Sequence, residues 1–176
     1  MPFGELSPTT TAASPTGSSC CGASPTSFMV RNIPTRYTAS TLLEVFDQRG
    51  GFSKTLDFMY LPMDFKTKKN VGYAFVNFAE SDAARNFIAC FQGAQLKAST
   101  SLKRLDITPS RRQGFIPNIS VFGASDLLRC SKGGCPGFKP LVLVHGQMVP
   151  LTDTLYEELL KGAITANTDS LNESKI

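Results

Sequence analysis

Tyr73 and Phe75 stand two residues apart in the run Gly72-Tyr73-Ala74-Phe75-Val76-Asn77-Phe78. In a strand that spacing puts both rings on one face, and Ala74, Val76 and Phe78 on the other. Adjacent exposed rings can stack on flat ligands, and nucleic-acid bases gain about 1–3 kcal/mol each by doing so. The alternative is that the rings are packed under another part of the chain. Just upstream, the segment 63–70 carries Lys66, Lys68 and Lys69 and reads as a basic loop. Catalytic chemistry has no such constellation. His145 is the only histidine, and no Gly-rich phosphate loop, paired catalytic carboxylates or nucleophile elbow is found. Neither an enzymatic activity nor a cofactor is expected.

The elements that must position these rings follow from periodicity and punctuation. Phe28 to Ile33 is a short apolar run ended by Pro34, which suits a strand. Thr38 is a good N-cap for a helix whose apolar face is Leu42, Leu43, Val45 and Phe46, stopped by Gly50 and Gly51. A second strand spans about Thr55 to Leu61, ahead of Pro62, and the heptamer with Tyr73 and Phe75 is the third. Ser81 is predicted to cap a second helix with the stripe Ala84, Phe87, Ile88 and Phe91, ending at Gly93. The last strand spans about Leu102 to Thr108, with Leu105 and Ile107 inward and Arg104 and Asp106 outward. The order βαββαβ implies an α+β sandwich: a four-stranded antiparallel sheet with two helices on one face and the other face bare.

Charge follows the same boundaries. The whole chain has 176 residues and a formal net charge of +4. Residues 27–114 hold 13 basic and 7 acidic residues, while 1–26 and 115–176 each carry a net −1. The same central block has 12 of the 17 Phe and Tyr residues. Positive charge therefore accompanies the aromatics, as a surface for a polyanion requires.

The octamer Val71-Gly72-Tyr73-Ala74-Phe75-Val76-Asn77-Phe78 matches seven of eight positions of the pattern K/R-G-F/Y-G/A-F-V-x-F/Y. The block thus resembles an RNA-recognition motif of ferredoxin-like fold, and Phe28 to Ile33 is similar to the motif's accompanying hexamer. Arg31-Asn32-Ile33-Pro34-Thr35-Arg36-Tyr37-Thr38, Leu61 to Phe75 and Arg112-Gln113-Gly114 resemble the C-terminal motif of the Mei-two-like, or terminal-ear-like, meiotic regulators. The resemblance implies non-enzymatic binding of single-stranded RNA on the open sheet face, in post-transcriptional regulation. Two positions depart from the general pattern. Val71 replaces a basic residue and Met29 replaces a ring, which leaves two rings and one thioether, with Lys66, Lys68 and Lys69 restoring charge. Tyr73 and Phe75 are expected to stack bases, with Met29 alongside. Arg31, Asn77 and Arg104 share that face by strand parity, and Arg111 and Arg112 lie just beyond it.

The flanks complete the organisation. Residues 1–26 form a Ser/Thr/Pro-rich tail expected to be disordered, with Ser-Pro-Thr at Ser7, Ser14 and Ser24 as potential phosphorylation sites. Residues 27–114 are the motif. Residues 115–162 are too apolar for a free tail, with a strand at Leu141 to Val144 and a short helix from Thr154 to Lys161 stopped by Gly162. This extension is expected to pack on the motif's edge, and 163–176 to fray. If it covered the sheet instead, a protein-interaction module of the same fold would be the alternative. Cys130 and Cys135 have a zinc-like spacing, but with His145 they still lack a fourth ligand, because Cys20 and Cys21 lie in the tail and Cys90 on a helix. No metal is expected. Five cysteines and no signal-peptide pattern favour a reduced intracellular setting, nuclear or cytoplasmic. No run is long and apolar enough to span a membrane, and the expected state is a monomer bound to single-stranded RNA, with protein partners possible.

Overall fold

The computed structural model describes residues 24–96, 103–122, 138–145 and 147–172, the last ten by backbone only. The tail with Ser7, Ser14, Cys20 and Cys21, and the pair Cys130 and Cys135, lie outside the described residues. Ser24 lies within them and is exposed. The βαββαβ order is present: β1 (Ser27–Arg31), α1 (Ala39–Gly50), β2 (Leu56–Tyr60), β3 (Tyr73–Phe78), α2 (Ser81–Phe91) and β4 (Asp106–Pro109). The extension adds α3 (Phe115–Ile119), a 3-10 turn over Ser120–Phe122, β5 (Leu141–Val144), β6 (Gln147–Pro150) and α4 (Asp153–Asn172).

Local chemistry accounts for the helix ends. The Thr38 hydroxyl accepts from the Thr41 amide at 3.2 Å while the Thr41 hydroxyl accepts from the Thr38 amide at 2.9 Å, a capping box. Gly51 ends α1 in the left-handed region at φ 65°, where a side chain would be strained. The cap of α2 lies one residue earlier than predicted. Glu80 is the N-cap, without a side-chain hydrogen bond, and Ser81 is the first helical residue. α4 runs through Gly162 to Asn172, where the sequence predicts a stop and a frayed end. A mid-helix glycine costs only about 1 kcal/mol, less than is needed to end a helix whose next residues are Ala163-Ile164-Thr165-Ala166.

The sheet has six strands in the order β4-β1-β3-β2-β5-β6, every described pairing antiparallel. Its inner face meets the helices. Phe28, Val30, Ala74, Val76 and Phe78 pack there against Leu42, Phe46, Ala84, Phe87 and Phe91. Edge-to-face contacts join Phe46 to Phe87 at 4.9 Å and Phe52 to Phe87 at 5.3 Å, an arrangement favoured by ring quadrupoles.

The extension does two things at once. β5 pairs with β2, so the β5–β6 hairpin continues the sheet at its edge. α3, the 3-10 turn and α4 build a second apolar cluster, in which Ile119, Phe122, Leu151 and Tyr156 surround Phe58 and Val142 on the outer face. A register shift in β2 makes this cluster possible. Leu56 pairs with Phe78, but Phe58 pairs with Asn77, so two steps along β2 match one along β3. Such a bulge reverses the side-chain alternation. Leu56 stays in the inner core, while Phe58 and Tyr60 turn to the outer cluster.

Candidate nucleic-acid interface

The outer face divides along β3. On the β1 and β4 side, Arg31 pairs with Tyr73 and Asp106, and Met29 pairs with Phe75 and Thr108. These six side chains share the outer face by alternation. Tyr73 and Met29 are half-buried and Arg31 is exposed. The Tyr73 and Phe75 rings meet edge to face at 5.7 Å. Tyr73 belongs to neither apolar cluster among the described residues. The Arg31 guanidinium lies 3.7 Å from the Asp106 carboxylate, both partly exposed, so the cation is held over the face.

On the β2 side the face is roofed. Tyr60, opposite Phe75, meets Phe122 edge to face at 4.9 Å, and Phe58 lies 6.2 Å from the same ring. Phe75 packs against this cluster as a partly buried member. Burial, with Tyr73 adding a smaller repulsion, pushes the Tyr60 phenol above its ordinary pKa, so it stays a neutral hydroxyl. The second ring of the expected stacking pair is therefore shared between an open platform and a packed interior.

Asn77 corrects the sequence reading. It lies on the outer face by alternation but is 1% exposed, and its amide is spoken for. Its Oδ1 accepts from the Thr26 hydroxyl at 3.0 Å and from the Ser27 hydroxyl, and its Nδ2 donates to Asp57 at 2.7 Å. The Ser27 Oγ in turn accepts from Asn118 Nδ2 and from the Gly114 amide, both at 2.9 Å. Gln113 Oε1 accepts from the Thr26 and Ser27 amides at 3.0 Å, and its Nε2 donates to the Ser27 and Ser110 carbonyls. Asn77 thus helps fasten the exit of β4 to the start of β1, with its amide engaged inside the fold. Ser27 and Asn118 share this role with Gln113 of the Arg112-Gln113-Gly114 segment and were not singled out in the sequence, because polar residues at strand ends give no periodic signal.

Arg104 is also displaced. The last strand begins at Asp106, and Arg104 lies before it, with its Nη1 donating to the Gly93 carbonyl at 3.0 Å and its own carbonyl accepting from Asn32. It sits at the end of α2, off the platform. The alternation argument fails for it because the residues before Asp106 are not paired as a strand.

The basic loop is built around Asp64. Its carboxylate accepts from the Thr67 amide at 2.7 Å and the Lys66 amide at 2.8 Å, which holds its pKa below the ordinary carboxylate value. The Asp64 amide donates to the Lys69 carbonyl and the Lys68 amide to the Asp64 carbonyl. Lys66, Lys68 and Lys69 are exposed on this turn, and the Lys68 ammonium lies 5.1 Å from the centre of the Phe138 ring. At its base Asn70 is buried, donating to the Pro34 and Tyr37 carbonyls at 2.8 Å and accepting from Gly72. Arg111 and Arg112 are exposed in the bend between β4 and α3. Among the described residues no group of His, Cys, Asp and Glu is arranged to hold a metal. His145 is exposed in the β5–β6 turn.

The chain resembles known proteins. Protein MEI2-like 5 of Oryza sativa subsp. japonica is 39% identical over 107 residues, covering 61% of this chain and 13% of that protein. Protein MEI2-like 3 of Arabidopsis thaliana is 32% identical over 142 residues, covering 77% and 18%. These relatives bear out the Mei-two-like resemblance, and the chain spans only a minor part of their length. Among solved structures, the Rna15 RRM with bound RNA (GU) aligns with a TM-score of 0.42 at 19% identity, over 51% of this chain and 86% of that one. The description "RNA recognition motif 2" matches residues 25–122, from the strand start pinned by Gln113 to the Phe122 ring that roofs Tyr60. With more than half of its length so matched, the chain belongs to the RNA recognition motif 2 family.

Proposed function

We propose that this chain binds single-stranded RNA, without catalysis, on the open half of its outer sheet face. The observation that carries the reading is the alignment of Tyr73, Met29 and Arg31 across β3 and β1, outside both apolar clusters of the described residues. Tyr73 stacks a base, Met29 and the edge of Phe75 support its neighbour, and Arg31 meets a phosphate or a base edge. Lys66, Lys68 and Lys69 on one loop and Arg111 and Arg112 on the other supply charge where a strand enters and leaves. Post-transcriptional regulation in a reducing intracellular setting is the role that suits such a module.

The test is a titration of labelled single-stranded RNA with the full chain and with Tyr73→Ala. Loss of one stacking platform weakens binding by about 5- to 150-fold, the equivalent of 1–3 kcal/mol. Unchanged affinity would refute the platform. The roof over Phe58 and Tyr60 favours one competing reading, a protein-docking module, and salt separates the two. Each phosphate contact steepens log K against log salt by about 0.7 for a single strand, whereas an apolar peptide contact barely responds.

A further inference from the structure

At the seam between the open and roofed halves lies a cleft of about 120 Å3. Its walls are rings: Tyr60 and Phe75 from the sheet, with Phe58 beneath, and Phe122 from the extension. Ser110, Arg112 and Asn118 supply its polar lining. Val121, a half-exposed side chain of the 3-10 turn, completes the border.

The hydrogen-bond chain behind the cleft fixes what the polar lining can offer. Asn77 donates to the Asp57 carboxylate, so its Oδ1 is the acceptor for the Ser27 hydroxyl. The Ser27 oxygen is then an acceptor for Asn118 Nδ2, whose second proton goes to the Gly114 carbonyl at 2.7 Å. Both amide protons of Asn118 are committed, and its Oδ1 is the atom with capacity left. Arg112 brings a guanidinium, a donor that is always charged, and Ser110 brings a hydroxyl. The lining thus combines flat aromatic walls with an acceptor and a cationic donor along one edge.

We infer that this cleft takes a single unpaired nucleobase, lodged against Phe75 beside the Tyr60–Phe122 contact, with an N–H edge toward Asn118 and a carbonyl or phosphate toward Arg112. The inference rests on the RNA-binding reading and adds a base position that the sheet alone does not provide. A cleft walled by rings forgoes dispersion contacts until a planar group fills it. The volume suits one base and not a stacked pair. The cleft opens beside Tyr60, Phe75 and Arg112, where a strand crossing the platform toward β2 would arrive. The extension then acts as half of a binding site as well as a roof.

Val121→Trp is the test, with Gln48→Trp, at an exposed position of α1 on the helix side of the sheet, as its control, both in the full chain. The probes are fluorescein-labelled nonamers of cytidine, uridine and adenosine, read by anisotropy beside thermal melts. The expected result is about a 5- to 150-fold loss for Val121→Trp on the tightest nonamer, with the affinity of Gln48→Trp and the melting temperatures near wild type. A distinct base position also makes the losses of Val121→Trp and Tyr73→Ala multiply in the double variant. Wild-type affinity in a folded Val121→Trp, alongside a loss in Tyr73→Ala, would overturn the cleft and leave the platform standing. A double variant no weaker than its weaker parent would also overturn it, since the tryptophan would then merely shield the platform. If the wild-type chain binds none of the three nonamers, the RNA-binding reading fails and the cleft with it.

Discussion

Phe58 and Tyr73 sit on the same sheet face and have opposite fates. Phe58 is 1% exposed under Phe122, Ile119 and Tyr156, while Tyr73 is half-buried and outside both apolar clusters. The rings differ by one hydroxyl, so ring chemistry does not decide which is covered. The neighbours decide. The bulge at Asp57 sends two β2 rings outward, and an exposed band of Phe58, Tyr60 and Phe75 would be a large apolar patch of the kind that associates. The extension covers that band and stops at the seam, which divides one continuous face into a roofed half and an open half.

The largest expected effects test this division directly. Phe58→Ala removes a fully buried ring and should cost about 3–5 kcal/mol in chemical denaturation. Tyr73→Ala, on the open half, should stay within about 0.5 kcal/mol of wild type while losing RNA affinity. Equal destabilisation by the two would erase the distinction and make Tyr73 part of the core.

Next in size is the polar fastening between the termini of the motif. Asn77→Ala leaves the Ser27 hydroxyl and the Asp57 carboxylate without their partner, at a cost of about 1–3 kcal/mol. The RNA affinity of the folded fraction should not change, because Asn77 is enclosed. A loss of affinity without a loss of stability would return Asn77 to the binding surface that its strand parity first suggests.

These residues also show what a sequence can and cannot reveal about such a face. The βαββαβ core was legible because its apolar spacings are regular and its ends carry Thr38, Gly51 and Pro34. Tyr73 was legible for the same reason. Parity failed at Asn77, where the face was predicted correctly but its cover came from Thr26 and Ser27, 51 and 50 residues away in sequence, with Asn118 bonded behind Ser27. It failed at Arg104, which precedes the paired strand. The extension was legible as apolar and as containing β5, yet its double role depends on a one-residue bulge in β2. Nothing in the sequence Leu56-Asp57-Phe58 marks that bulge.

The bulge residue makes a pH prediction. Burial raises the Asp57 pKa above 3.8, and the hydrogen bond from Asn77 opposes that rise without cancelling it. The folded state therefore holds the Asp57 proton more tightly than the unfolded chain. Stability associated with this group is fully present below the unfolded pKa and declines as pH rises through the folded one. Asp57→Asn keeps an oxygen acceptor for Asn77 and removes the buried charge. It should melt higher than wild type at pH 7, with the advantage shrinking toward zero as pH falls below 3.8. An advantage that persists at low pH would show that the effect is not electrostatic.

The smallest effect concerns the open half alone. Asp106 holds Arg31 at 3.7 Å, and both side chains are about half exposed. A pair so placed contributes about 0.2–1 kcal/mol at most, so Asp106→Asn should barely change stability. Its effect on binding has the opposite sign. The carboxylate competes with phosphate for the Arg31 guanidinium and repels the approaching strand, and removing it should tighten RNA binding by a few-fold at low salt. The gain should fade as ions screen the site beyond the Debye length, about 8 Å at physiological ionic strength. The same substitution in Arg31→Gln should give a smaller gain, because only the repulsion remains to be relieved. If Asp106→Asn weakens binding instead, the ion pair is positioning Arg31 for RNA and the carboxylate belongs to the site.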